Sequence, residues 1–265
     1  MNNIERKMLE ILKAARDYGV VAVKAEFEAE GTRNDEFLRL LELARRANLG
    51  VALKIGGCEA VRDLIEARQF GVDYIIAPMV ETPYALTKYV AAKNKVYSPD
   101  EQADMRFLFN LETHASFENL AGLGAEAQKG NAGFVFGRVD FAGSLGKGRE
   151  IVNAPETMGC VEKVAEEAAR RNLELVVGGG VNPDSIVPLR RVRKIRLDRF
   201  ETRKIIFDAG CLDGGDVERG MELAIEFELL WLKNKRDYYR AIAAEDESRI
   251  SMMEARQQSS FQPVG

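Results

Sequence analysis

FNLET, at residues 109–113, and GFVFGRVDFAGSLG, at residues 133–146, lie in the stretch that decides the fold. Residues 106–111 and 133–136 are apolar runs of strand length, and the segment between them has a helical pattern. Glu112 follows the first run, and Arg138 and Asp140 follow the second. Because successive parallel strands end at the same edge of a sheet, we expect both carboxylates there. In a (β/α) barrel, that edge carries the chemistry.

Glu112 and Asp140 allow two interpretations. Two carboxylates with water form a hard-oxygen site that suits Mg²⁺ or Mn²⁺. Alternatively, Glu112 caps the helix that follows it and Asp140 fixes a turn. The pattern alone favours neither interpretation.

These two motifs resemble those of the HpcH/HpaI aldolase–citrate lyase β family, in which Ile/Leu-Glu-Thr is followed by Gly-x-x-Asp-Leu/Phe-x-x-Ser-Leu-Gly. GVDYIIAPMVETPYAL, at residues 71–86, is similar to a further strand and helix start of that family. The resemblance covers roughly residues 20–180 and implies an α/β fold, a (β/α)8 TIM-type barrel. It further implies that Glu112 and Asp140 bind the metal cofactor, Mg²⁺ or Mn²⁺.

The function implied by the resemblance is that of a divalent-metal-dependent carbon–carbon lyase, an aldolase. It would act on a 2-oxo acid such as pyruvate through a metal-bound enolate, with an aldehyde as the second small-molecule substrate. One alternative is an acyl-thioester lyase or synthase of the citrate lyase β type, although no long basic cleft for a CoA tail is evident. Another is a non-catalytic barrel that binds an anionic ligand.

Lys54 lies in the apolar strand run of residues 51–55, where family members carry an arginine that contacts the substrate. We therefore predict that Lys54 and Arg138 stand beside the enolate oxygen, and that Lys54, Gly137 and Arg138 contact the substrate. Lys54 could instead be a Schiff-base nucleophile, since desolvated lysines serve that way. It could also simply reach the surface past apolar neighbours.

The general base is not marked by a family motif. Aldolases of the family carry a Glu-His pair after an early strand, whereas this chain has Glu26-Phe-Glu28-Ala-Glu30 there. Glu28 is our candidate base, with Glu26 or a metal-bound water as alternatives. The chain has 1 histidine, His114, which either faces the rim as a catalytic group or caps a helix.

Three glycines, residues 178–180, follow the strand predicted at residues 173–177. Backbone N–H groups without side chains, followed by a helix start, form an anion-binding nest. We therefore predict that Gly179 and Gly180 bind a phosphate or carboxylate of the substrate. The alternative is a tight turn with Asn182 as a helix cap.

Composition limits the class of protein. The chain has 265 residues, 46% of them hydrophobic, which suits a single barrel domain at residues 1–245 with a flexible tail at residues 246–265. A net charge of -4 argues against nucleic-acid binding. The 3 cysteines lack metal-ligand spacing and suit a reducing cytoplasm. With no secretory signal and no long apolar run, we expect no membrane partner.

The two ends of the barrel sequence carry helices. Residues 3–17 have helical periodicity and are predicted to cover the bottom of the barrel. Residues 192–207 form either two short strands or one irregular strand, so the strand count is seven or eight. The predicted helix at residues 216–244 exposes more apolar surface than a barrel-side helix needs, so we expect it to mediate a homo-oligomer, as in the family. The alternative is that it caps its own barrel.

Overall fold

A computed structural model describes residues 1–260 of the chain. Its strands are β1 (Val20–Glu26), β2 (Gly50–Lys54), β3 (Tyr74–Ala77), β4 (Arg106–Leu111), β5 (Gly133–Gly137), β6 (Leu175–Gly178), β7 (Arg199–Glu201) and β8 (Ile205–Asp208). Its helices are α1 (Asn3–Ala15), α2 (Asn34–Arg46), α3 (Val61–Phe70), α4 (Pro83–Val96), α5 (Pro99–Ala103), α6 (His114–Glu118), α7 (Leu120–Gly130), α8 (Arg138–Ser144), α9 (Pro155–Arg171), α10 (Ile186–Arg193) and α11 (Val217–Ser260).

Several helices begin where the sequence supplies a capping side chain. Asn2 and Glu5 form a capping box at α1, since each side chain accepts a hydrogen bond from the other residue's backbone N–H. Thr82 caps α4, whose first residue is Pro83, a position where a missing N–H costs nothing. Asn182 caps the short 3₁₀ helix Pro183–Ser185. The caps at Thr82 and Asn182 set strand-to-helix turns, after β3 and β6.

The eight strands form one closed barrel in chain order, which confirms the predicted TIM-type fold. Strands β1 to β7 pair in parallel, but β8 runs antiparallel to both β7 and β1. The reason is the length of the connection. Only residues 202–204 join β7 to β8, whereas a parallel pair needs a crossover of a dozen residues or more. The segment at residues 192–207 thus contains two short strands. The tip of their hairpin lies at the end of the barrel where the carboxyl ends of the parallel strands meet.

The alternation of side chains along the strands produces two cores. One layer fills the barrel interior and takes a residue from every strand except β7: Ala22, Ala52, Ile76, Leu108, Val135, Val176 and Ile206. The other core lies between the sheet and the helices and contains the outward residues, such as Phe134 and Phe136. Above the interior layer, at the carboxyl ends of the strands, the inward positions include charged residues, the polar Asn110 and glycines that lack a side chain. The site described below occupies that end.

Helix α11 is 44 residues long, about 66 Å at 1.5 Å per residue. Its first half packs on α1, with Phe227 and Trp231 buried. From Arg240 to residue 258 every side chain is exposed. Within the segment predicted as a flexible tail, residues 246–260 continue this helix, and residues 261–265 lie outside the described part; the flexibility of the segment stays a prediction. No helix in residues 1–260 combines the length and the apolar character that a bilayer crossing requires.

Candidate active site

A cavity of about 460 Å³ opens at the carboxyl ends of the parallel strands. Its wall has more acidic than basic side chains: Glu26, Glu28, Glu112, Asp140, Glu201 and Glu228 against Lys24, Lys54, Arg149 and Arg203. Of the predicted site residues, the structure brings Glu28, Lys54, Glu112, Gly137, Asp140, Gly179 and Gly180 to this wall. The acidic excess favours a ligand that includes a cation.

Glu112 is held in one orientation by its neighbours. Its side chain is 2% exposed, and its Oε1 accepts a hydrogen bond of 2.9 Å from the Met79 backbone N–H. Its Oε2 accepts one of 2.5 Å from Asn110 Nδ2. Met79 takes a left-handed backbone conformation, with φ of 50°, to present this N–H. Each carboxylate oxygen has two lone pairs, so Glu112 keeps acceptor capacity toward the cavity.

Gly137 explains how the Glu112 carboxylate fits against the next strand. A Cβ at Gly137 would lie 2.8 Å from Glu112 Oε2 and 2.9 Å from Glu112 Cβ. Any side chain there would push the carboxylate out of its position. The role of Gly137 is therefore to leave room for Glu112.

Asp140 is exposed and lies in the first turn of α8, directly after β5. Burial raises the pKa of Glu112, while Lys54, the Met79 N–H and Asn110 lower it and the charge of Asp140 raises it further. The negative charges of the two carboxylates therefore repel each other across the cavity. A cation bound between the two carboxylates would be attracted to both.

Lys54 is nearly buried and lies between two carboxylates. Its Nζ is 3.2 Å from Glu28 Oε2 and 3.7 Å from Glu112 Oε2. The structure therefore places the ammonium inside the cavity and not at the outer surface. Glu28 is more accessible, with 29% of its side chain exposed.

A second buried lysine, Lys24, lies on β1. Its Nζ is bonded to Glu201 on β7 and is 3.4 Å from Glu26 Oε1. Burial alone would lower the pKa of Lys24, but the charges of Glu201 and Glu26 outweigh burial and raise it. Lys24 is therefore a fixed cation.

The glycine run after β6 borders the cavity opposite Lys54. Gly179 and Gly180 have φ values of 80° and 70°, the left-handed region that favours glycine. A Cβ on Gly179 would come within 2.6 Å of the backbone nitrogens of Arg138 and Val139. The run is thus a tight turn, and it also leaves backbone atoms facing the cavity. Asn182 caps the 3₁₀ helix that follows, as the tight-turn interpretation predicted.

Two predicted site residues lie away from the cavity wall. Arg138 is fully buried, and its guanidinium donates to Gly178 O at 3.1 Å, Asn153 Oδ1 at 2.7 Å and Ser185 Oγ at 3.4 Å. Strand alternation explains this position. Val135 and Gly137 face inward, so residue 138 faces the helices, and Arg138 is not retained as a substrate contact.

His114 is the second of these residues. Its side chain is 53% exposed, and its Nε2 lies 3.5 Å from Glu118 Oε1 on the outside of α6. The helix cap is Thr113, whose side chain accepts the Ser116 N–H. His114 is therefore neither on the cavity wall nor the cap.

Several residues of the cavity wall were not predicted from the sequence. Asn110 has the strand parity of Glu112, so the alternation along β4 was the signal that could have found it. Lys24 shares the inward parity of Ala22 in the same way. Glu201 had no such signal, because the boundaries of β7 were not predictable within its charge-rich segment.

The carboxylate oxygens of Glu112 and Asp140 suit a metal ion whose remaining ligands are water and substrate. Within residues 1–260, no cluster of three or more His, Cys, Asp and Glu side chains is arranged to hold a metal. Glu112 and Asp140 supply two hard oxygen donors. Mg²⁺ is commonly bound by one or two carboxylates, with water and substrate completing its octahedron. The residues present therefore fit such an ion.

Comparisons with known proteins address the fold. No family model and no curated protein matches the sequence. Among solved structures, an HpcH/HpaI aldolase from Desulfitobacterium hafniense DCB-2 is 14% identical, with a TM-score of 0.58 over 73% of this chain and 82% of that one. A HpcH/HpaI aldolase/citrate lyase family protein from Burkholderia cenocepacia J2315 is 12% identical, with a TM-score of 0.60 over 92% of this chain and 100% of that one.

The chain has the HpcH/HpaI aldolase fold. The citrate synthase SbnG shares this fold at 18% identity, with a TM-score of 0.58 over 87% of this chain and 90% of that one. The HpcH/HpaI fold agrees with the resemblance seen at residues 109–113 and 133–146. At these identities the likeness concerns the fold, and the chemistry has to be argued from the site.

Proposed function

We propose that this protein is a divalent-metal-dependent carbon–carbon lyase, an aldolase, that acts on a 2-oxo acid. One observation carries the proposal. Glu112 and Asp140 follow consecutive strands and meet in a cavity where acidic side chains outnumber basic ones. A 2-oxo acid is an anion, so it requires a cation in such a cavity.

Glu112 and Asp140 would hold Mg²⁺ or Mn²⁺. When bound, the ion supplies the positive charge that stabilises the enolate formed on breaking the carbon–carbon bond. The Met79 N–H and Asn110 Nδ2 fix the Glu112 carboxylate in advance. Preorganisation of this kind reduces the reorganisation that the reaction itself must drive.

Lys54 and Glu28 are the groups to which we assign charge stabilisation and proton transfer. Lys54 Nζ, between Glu28 and Glu112, would stand beside the developing oxyanion as a second cation. Glu28 would accept the proton from the substrate, and its ion pair with Lys54 holds it near that position. We assign the substrate carboxylate to the backbone of Gly179 and Gly180.

Pyruvate provides the direct test, because an aldolase that forms its enolate exchanges the methyl protons with D₂O. We expect exchange, followed by NMR, only when Mg²⁺ or Mn²⁺ is present. Glu112→Gln and Asp140→Asn should each lower the exchange rate by roughly 100-fold or more, as expected for loss of transition-state charge stabilisation. His114→Asn, outside the cavity, is the matched control. Exchange that persists in both carboxylate variants would refute the metal site.

A second candidate is carbon–carbon bond formation with an acyl thioester. The shared fold with the citrate synthase SbnG is the observation in its favour. Addition of acetyl-CoA together with a 2-oxo acid distinguishes it, since only this activity releases free thiol. A barrel that binds an anion without catalysis would bind pyruvate by calorimetry without exchanging its protons.

The state of the three cysteines supports a proposal about the cellular compartment of the protein. Cys58, Cys160 and Cys211 are all free thiols. We propose a reducing compartment, the cytoplasm, for this protein. The site residues themselves need no oxidising environment.

A further inference from the structure

The loop after β1, residues 27–33, borders the cavity and carries Glu28, the residue to which we assign proton transfer. The loop turns back on itself, since the Thr32 backbone N–H donates to Glu26 O at 3.1 Å and Gly31 has a left-handed φ of 55°. Strand β1 pairs with β2 on one side and with β8 on the other. The loop therefore lies between the end of β2 and the tip of the β7–β8 hairpin.

The two acidic side chains of this loop contact opposite neighbours. Glu28 Oε2 lies 3.2 Å from Lys54 Nζ on β2. Glu30 contacts the hairpin instead. Its Oε1 accepts a hydrogen bond of 3.0 Å from Arg203 Nε, and its Oε2 accepts one from Lys204 Nζ. The loop is thus held on both sides, and Glu30 makes the contact on the side of the hairpin.

The contact between Glu30 and Lys204 is shielded from water. The side chain of Glu30 is 13% exposed and that of Lys204 is 6% exposed. Burial lowers the pKa of Lys204, and the charge of Glu30 is the largest influence that opposes burial. Breaking a buried ion pair is costly, whereas an exposed pair contributes little. Glu30 is therefore held firmly against the hairpin.

The hairpin itself is anchored on two sides. Glu228 on α11 accepts hydrogen bonds from Thr202 Oγ1 and from the Lys204 backbone N–H. On the other side, Lys204 O accepts the Lys24 backbone N–H of β1 at 2.8 Å. The Lys204 ammonium also lies 6.0 Å from the centre of the buried Trp231 ring. A side chain that is bonded to this hairpin is therefore fixed relative to the barrel.

We propose that Glu30 is a positioning residue, which holds the loop on the cavity and thereby keeps Glu28 beside Lys54. This inference rests on the proposed function, in which Glu28 accepts the proton of the substrate. Glu30 lies off the cavity wall and is bonded to Arg203 and Lys204. It therefore acts through Glu28 and not on the substrate.

The first test is the exchange of pyruvate methyl protons with D₂O in the presence of Mg²⁺. Glu30→Gln keeps the size of the side chain and turns an amide NH₂ toward one of the two cations. We expect it to lower the maximal exchange rate by roughly 10- to 100-fold, the cost of a misplaced catalytic group. The pyruvate concentration at half-maximal rate should change little, because Glu30 does not contact the substrate.

A double variant shows whether Glu30 acts through Glu28. Glu28→Gln alone should lower the exchange rate by roughly 100-fold or more, as expected for loss of a general base. Once the base is absent, its position no longer matters. Glu28→Gln combined with Glu30→Gln should therefore exchange no more slowly than Glu28→Gln alone.

Hydrogen–deuterium exchange of the backbone tests the hold on the loop without reference to catalysis. We expect peptides that cover residues 27–33 to exchange faster in Glu30→Gln than in the wild type. The physical reason is that the Thr32 N–H loses its protection when the loop moves away from the barrel. Mass spectrometry of the full-length protein measures this exchange.

Two further variants serve as the control and the substitute. Glu42 also pairs with two basic side chains, Arg39 and Arg46, but it does so on α2. We expect Glu42→Gln to leave both kinds of exchange at the wild-type rate. Lys204→Met removes one of the two cations that hold Glu30. It should change both rates in the same direction as Glu30→Gln, and it serves if that variant does not fold.

The outcomes separate this inference from the proposed function. Unchanged loop exchange in Glu30→Gln, or equal effects of Glu30→Gln and Glu42→Gln, would overturn the positioning role. A wild-type rate of pyruvate exchange in Glu28→Gln would overturn it as well. So would a double variant whose loss is the product of the two single losses, the result expected of a purely structural residue. Faster loop exchange in a protein that exchanges no pyruvate protons would support the hold on the loop and refute the lyase.

Discussion

Glu26 is a buried carboxylate at the end of β1, surrounded by basic groups. Burial would raise its pKa, but the charges of Lys24, Lys54, Arg203 and Lys204 outweigh burial and lower it from its ordinary value of 4.5. A depressed pKa means that the folded state favours the ionised form. The residue therefore stabilises the fold at neutral pH through these cations.

The pH dependence follows from the direction of this shift. The contribution of Glu26 to stability is fully present above the unfolded pKa of about 4.5 and is lost as the pH falls through the lower folded pKa. We expect Glu26→Gln to be less stable than wild type at pH 7, and the difference to shrink at lower pH. Urea unfolding of both proteins at several pH values measures it. A difference that stays constant with pH would contradict this account.

Arg138 stabilises the outer side of the same region. Its guanidinium connects the start of α8 to the end of β6 through Gly178 O and to Asn153 and Ser185. None of these acceptors is a carboxylate, and burial lowers the pKa of Arg138 to about 10. The planar guanidinium can reach all of them at once, which a lysine ammonium cannot.

Arg138→Lys separates a structural from a catalytic role. We expect the variant to lose about 2 kcal/mol of stability, because acceptors in a buried site lose their donors. Thermal unfolding measures that loss. Pyruvate exchange per folded molecule should persist, because the side chain is away from the cavity. Loss of exchange with unchanged melting would instead show that Arg138 acts on the substrate.

At the scale of elements, the β7–β8 hairpin depends on α11. Glu228 on α11 accepts hydrogen bonds from Thr202 Oγ1 at 2.7 Å and from the Lys204 backbone N–H at 2.9 Å. The long helix thereby positions Arg203 and Glu201, both of which line the cavity.

Glu228→Ala should destabilise the protein by about 1–2 kcal/mol, because it leaves two donors of the hairpin without an acceptor. Glu226→Ala is the control on the same helix. Glu226 pairs with Lys7 at the surface, and such pairs contribute about 1 kcal/mol or less. Denaturant unfolding of the two variants gives the comparison. Equal losses would show that the hairpin does not depend on Glu228.

At the scale of the whole molecule, α11 extends beyond the barrel. Ile225, Leu229 and Leu232 form an exposed apolar stripe at helical spacing, and Ile242, Ile250, Met252 and Met253 continue the exposed apolar surface. A groove of about 550 Å³ lies between α1, α2 and α11 and is lined in part by Leu38, Trp231 and Tyr238. Exposed apolar surface of this extent marks an association site. We propose that a second copy of the chain covers it.

Removal of residues 240–265 tests this proposal. The contacts of Lys235 and Tyr239 with Glu36 remain, so the barrel should keep its fold. We expect the full-length protein to form a homo-oligomer and the shortened protein to be a monomer, by light scattering after size exclusion. A full-length monomer would refute a role of this helix in assembly, and an oligomer of unchanged size after truncation would refute a role of its part beyond residue 239.

The sequence by itself determined the elements and the position of the acidic pair. Hydrophobic periodicity and capping residues are local signals, so β4 at residues 106–111 was predicted with the bounds observed, and the helix predicted at residues 3–17 is α1, Asn3–Ala15. Glu112 and Asp140 reached the same rim because consecutive parallel strands end at the same edge. The closed barrel was implied by the family resemblance of the motifs at residues 109–113 and 133–146.

Only the tertiary structure decided which side chains meet across the barrel. Lys24 and Glu201 are 177 residues apart in sequence and became partners because β8 closes the barrel between their strands. The three-residue connection after β7 made β8 antiparallel, and the strand parity at the end of β5 took Arg138 out of the cavity. The physical reason is that strand periodicity gives a side chain its face, whereas its partner depends on register and closure, which are properties of the whole sheet.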